Sequence, residues 1–207
     1  MSGKKRIVNF TSFVCIQCCF VYLMAADIIK SSYFVTIVYN IFVLIGSYVL
    51  LKKDYDIAVF KDCREIPKDL FPGLLYALLF SLALFAAFSL FQDVSFLSAY
   101  PYGFQSLCGH IIAQLIIAFS EEIFFRVYFY EVLLSIFRRK FPSIFLISLI
   151  FAGLHLAMNG NVKQFFVAML FSLYAFYIKT KRSEETVFLL GWMHFIYNCL
   201  VCFVFVI

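Results

Sequence analysis

Two adjacent carboxylates in the middle of an apolar run are the first residues in this chain that could do chemistry. Glu121 and Glu122 stand in SEEIFFR, with Arg126 four residues beyond the second of them. A charge at membrane depth costs at least about 2.5–3.5 kcal/mol on insertion scales, so charges that persist there face a cavity or each other. Glu122 and Arg126 project from one helical face a turn apart and can neutralise one another as an ion pair. Glu121 is rotated about 100° from Glu122 and about 140° from Arg126, so its partner has to come from another helix. A carboxyl so placed suits a general base. Two other apolar stretches offer groups that could meet it. FAGLH ends on His155, and HFIYN carries His194 and Asn198, four residues apart and therefore on one helical face.

The elements that position these groups follow from composition. Of 207 residues, 64% are hydrophobic and only 14% charged, with a mean hydropathy of +0.96. An ordinary soluble domain is about half apolar and about a quarter charged, so this chain belongs in lipid. Its apolar runs are continuous over roughly 20 residues, the length of a helix that crosses the hydrocarbon core, and lack the period-two alternation of a barrel strand. The reading is an all-α polytopic transmembrane bundle of about seven spans, near 7–29, 33–51, 70–91, 107–137, 141–158, 162–178 and 186–207, forming a single domain over 1–207 with its motif-bearing core at 107–207. Fourteen of the seventeen Lys and Arg fall in four alternate segments, at 4–6, 52–68, 138–140 and 179–182. Basic loops stay cytoplasmic, so the N-terminus is read as cytoplasmic and the net charge of +5 as a topology signal rather than a nucleic-acid footprint. Six of the seven Cys lie inside apolar runs and read as small fillers, not as a disulfide framework. The 52–69 loop reads as scaffold, and the 92–106 connection as the natural place for a mobile gate.

Counting rise along each span from its cytoplasmic end puts Glu121 about 25 Å deep, His155 about 21 Å and His194 about 12–16 Å. Packed helices can bring these depths together into one site within the membrane, expected here to open to water from the cytoplasmic side. Structural roles suit the remaining polar residues better. His110 lies three turns from Glu121 and reads as a helix-to-helix hydrogen-bonding group, while Glu131 and Asp27 read as groups near span ends.

Taken together, EExxxR at Glu121, Glu122 and Arg126, FxxxH at Phe151 and His155, and HxxxN at His194 and Asn198 resemble the CPBP family of intramembrane proteases. That family includes the type II CAAX prenyl endopeptidases and bacterial Abi proteins linked to bacteriocin processing and self-immunity. The resemblance implies hydrolysis of a peptide bond in a membrane-associated peptide or protein, with Glu121 and His155 polarising the water and His194 with Asn198 stabilising the oxyanion. Glu122 and Arg126 would then fix the helix. On cofactors the resemblance leaves two readings open: a zinc ion on Glu121, His155 and His194, and a metal-free glutamate mechanism; HExxH is absent. The short loops resemble bacterial members, which implies a multi-pass protein of a bacterial cell membrane with a bacteriocin, leader or pheromone peptide as substrate. Two other classes fit the same residues: a non-proteolytic immunity or sensor-binding protein, and a proton-coupled transporter. The absence of an inverted repeat argues against the last.

Overall fold

In lipid a backbone satisfies its polar groups only by closing on itself, so long apolar segments become helices. The computed structural model describes residues 3–26, 32–55, 66–89, 95–96, 104–159, 161–182, 187–203 and 205–206, and these are helical almost throughout. The helices are α1 (Gly3–Ala25), α2 (Tyr33–Tyr55), α3 (Ile66–Ser89), α4 (Phe104–Glu121), a π-helical segment (Glu122–Phe129), α5 (Tyr130–Phe137), α6 (Lys140–Asn159), α7 (Val162–Arg182) and α8 (Val187–Phe203). α4, the π segment and α5 run on as one span, Leu107–Phe137. Among the described residues six spans have the length and apolarity to cross a membrane, and a further apolar helix, α8, has 17 residues. Two-residue segments β1 (Ser95–Phe96) and β2 (Phe205–Val206) pair antiparallel. Asp27 and most of the 52–69 and 92–106 connections lie outside the described residues.

Local chemistry sets the helix ends. The Ser32 hydroxyl accepts from the Val35 N–H at 3.2 Å, and Asn161 Oδ1 from the Lys163 N–H at 2.9 Å, each capping orphan donors of a first turn. α5 stops at Arg138, which takes a left-handed conformation with φ 54° while its N–H returns to the Leu134 carbonyl. α6 starts two residues later, with Pro142 in its first turn, where no N–H is needed. The tight connection forces α5 and α6 to run antiparallel.

Small residues let α8 sit deep in the bundle. A Cβ on Gly73 of α3 would come within 2.9 Å of the Trp192 ring, and one on Gly191 would come within 2.8 Å of the Phe119 ring of α4. Any side chain there would push α8 off α3 or α4. A buried Ser172–Ser148 hydrogen bond of 3.0 Å ties α7 to α6.

Basic residues at the ends of α1, α2 and α7 gather at one end. The Arg6 guanidinium at the start of α1 lies 4.7 Å over the Tyr55 ring at the end of α2, and Asn9 Nδ2 donates to Asp54 at 3.1 Å. Arg182, at the end of α7, lies 5.5 Å over the Tyr76 ring in the first half of α3. The alternation read from the Lys and Arg spacing therefore matches the way the helices pack.

Candidate active site

Between α4 and α5 the chain widens into eight residues of π-helix, all of them buried. Such i→i+5 stretches are rare, and they occur often at functional sites. The wider turn keeps residues four apart close to one line, and Arg126 Nε lies 3.3 Å from Glu122 Oε2 with both side chains fully buried. The guanidinium faces aromatic rings rather than water, 4.3 Å over Phe151, 5.9 Å from Phe176 and 6.0 Å from Phe125. Lys179 of α7 donates to the Arg126 carbonyl and lies 4.4 Å over the Tyr130 ring. The ion pair expected from the four-residue spacing is thus present, inside an aromatic box.

His194 joins the two carboxylates. Its Nδ1 is 2.8 Å from Glu122 Oε1, and its Nε2 is 3.8 Å from Glu121 Oε2. The Phe171 ring at 4.6 Å and the Phe151 ring at 6.3 Å hold the imidazole in place. An ionised Glu122 can only accept, so Nδ1 carries a proton and Nε2 is turned toward Glu121 and the cavity. The partner that Glu121 needed from another helix is therefore on α8. His155 Nδ1 lies 2.9 Å from the Phe151 carbonyl, which also only accepts, so in the neutral ring Nδ1 carries the proton. Asn198 Nδ2 donates to Gln114 Oε1 at 3.0 Å, using one of its two N–H groups.

Glu121, His155, His194 and Asn198 all line one cavity of about 560 Å³. Glu122 and Arg126 stand behind its wall. Glu121 keeps 24% of its side-chain surface accessible, against none for Glu122. Among the described residues no three His, Cys, Asp or Glu side chains come together as the ligands of a metal ion would, the trio Glu121, His155 and His194 included.

The cavity does not open toward the basic ends, contrary to the cytoplasmic opening expected from depth alone. On that side it is floored by Phe124, Phe125, Phe151 and Phe171, none more than 6% exposed. Its rim at the other end carries Met158, Asn161 and Lys163, all exposed. Rise along a helix gives depth but not which half is filled, and here aromatic side chains fill the basic half.

Residues 103–200 match the family model described as type II CAAX prenyl endopeptidase Rce1-like. This segment is Rce1-like. It holds all six motif residues, and its family supports an intramembrane endopeptidase as the general activity. No curated protein and no solved structure matched the chain. The cavity has a second wall outside the Rce1-like segment, made by Gln17 of α1 and Thr36, Tyr39 and Asn40 of α2. Asn40 donates to the Thr36 carbonyl at 2.9 Å and accepts from the Ser120 hydroxyl at 2.6 Å, one residue before Glu121. Gln114 and Asn40 were missed in the sequence. Gln114 had a signal, since it lies seven residues before Glu121 and so shares its face. Asn40 had none, because its helix carries no motif.

Proposed function

We propose that the chain hydrolyses a peptide bond of a membrane-associated peptide or protein within this cavity, using water activated by Glu121 with His155. The observation that carries the reading is the accessible Glu121 beside a fully buried Glu122, with His194 bridging them. Glu121 takes a proton from the water as the water oxygen bonds to the scissile carbonyl carbon. Negative charge then develops on the carbonyl oxygen. The second N–H of Asn198 and the Nε2–H of His194 are the donors for it, in a setting where each such donor contributes about 3–4 kcal/mol to the transition state. When His194 carries both protons, two carboxylates face two cations and the buried cluster has no net charge. As the intermediate collapses, the C–N bond breaks and the proton held by Glu121 passes to the leaving nitrogen. Water is consumed, and one carboxylate terminus and one amine terminus are released. Glu122 and Arg126 hold His194 and the π segment in register. A host bacterial membrane and a bacteriocin, leader or pheromone peptide as substrate belong to this same reading.

The test compares membrane and secreted peptides from isogenic cells carrying the wild-type chain or Glu121→Gln at equal membrane abundance. New peptide termini are expected only with the wild type. Identical profiles would retire catalysis in favour of a protein that binds a toxin or sensor.

A further inference from the structure

The direction of the cavity says which polypeptides can reach it. Every lining residue from α1, α2, α6 and α7 lies in the half of its helix remote from the basic ends. Gln17 and Val21 lie late in α1, Thr36 to Val43 early in α2, Phe151 to Met158 late in α6, and Lys163 to Phe171 early in α7. On the side of the basic ends the cavity is bounded by the buried phenylalanine floor and the boxed Arg126. Water and an extended peptide therefore reach Glu121 from the rim at Met158, Asn161 and Lys163. Sidedness follows from charge. Arg6, Arg138, Arg139, Lys140, Lys181 and Arg182 lie at the other end, and basic flanks of this weight are retained on the cytoplasmic side during insertion.

We infer that the site opens to the extracytoplasmic face, and that its substrates are polypeptides presented there: exported peptides still held at the membrane, or the outer flanks of membrane-anchored chains. The substrate class rests on the endopeptidase reading; the access face does not. A cytoplasmic protein tail would meet the closed half of the bundle.

Full-length Lys163→Cys and Arg139→Cys, each expressed in cells and compared with the parent chain, test the face directly. Intact cells are treated with a membrane-impermeant maleimide, and modified positions are identified by peptide mass, so the native cysteines do not interfere. The cysteine at 163 is expected to be modified in intact cells, and the one at 139 only after permeabilisation. The reverse pattern, or protection of both positions until permeabilisation, overturns the inference. The peptide comparison between wild type and Glu121→Gln then tests the substrate class. New termini in secreted peptides or outer flanks support it, and new termini confined to cytoplasmic flanks overturn it. No new termini alongside a modified position 163 would remove the endopeptidase reading and leave the access face standing.

Discussion

Glu121 and Glu122 are neighbours in the chain and occupy opposite worlds, one on the cavity face of its span and one on the packed face. Around Glu122 the contacts are short-range and dry: the His194 Nδ1–H and Arg126, whose guanidinium is itself set among the Phe125, Phe151 and Phe176 rings. Around Glu121 lie His194 at 3.8 Å and the open cavity. The difference teaches that the packed carboxylate can only hold geometry, whereas the accessible one can exchange protons with water and substrate.

That contrast can be broken from either side. The largest effect is expected from Arg126→Met, which leaves Glu122 fully buried without its cation and should cost about 3–5 kcal/mol of stability. Thermal unfolding of the detergent-purified protein measures it. Combining it with Glu122→Gln should recover part of the loss, and an unchanged melting curve for the single variant would show that the pair is not structural. His194→Ala, on the boundary between the two faces, should lower kcat about 10²–10³-fold, the usual cost of losing an oxyanion donor. Cleavage rates at saturating substrate decide this, and a change confined to KM would assign His194 to binding. Gln114→Leu sharpens the cavity side. Loss of the single hydrogen bond that orients Asn198 should cost about 1 kcal/mol, several-fold in kcat, with stability nearly unchanged. If Asn198→Ala and the double variant behave identically, Gln114 acts only through Asn198; an additive loss would give it a separate role.

Much of this was legible before any coordinates. Continuous apolar runs marked the spans, and helical spacing alone predicted that Glu122 would pair with Arg126 and that Glu121 would look elsewhere for a partner. What periodicity could not carry was everything decided by packing between helices. The i, i+4 relation of Glu122 and Arg126 reads the same in an α-helix and in a π-helix, so the widened turn left no trace in the sequence. Asn40 and Gln17 became cavity residues because α1 and α2 lie against the motif-bearing spans, and polar residues in spans are ordinarily helix-to-helix contacts. Depth was estimated from rise per residue, yet the direction of opening depended on where Phe124, Phe125, Phe151 and Phe171 pointed. His194 was placed with Asn198 by spacing, while its bridge between the two carboxylates needed α8 to approach α4 as closely as Gly191 permits.

That close seating has a mechanical consequence. Over its described residues α8 runs 17 residues, about 26 Å at the rise of an α-helix, against a hydrocarbon layer about 30 Å thick. Because Gly73 and Gly191 lock it between α3 and α4, it cannot slide to relieve the mismatch, so the lipid beside it has to thin or the whole bundle has to tilt. The thickness of the host bilayer, set by its acyl-chain length, thereby acts on the helix that carries His194 and Asn198.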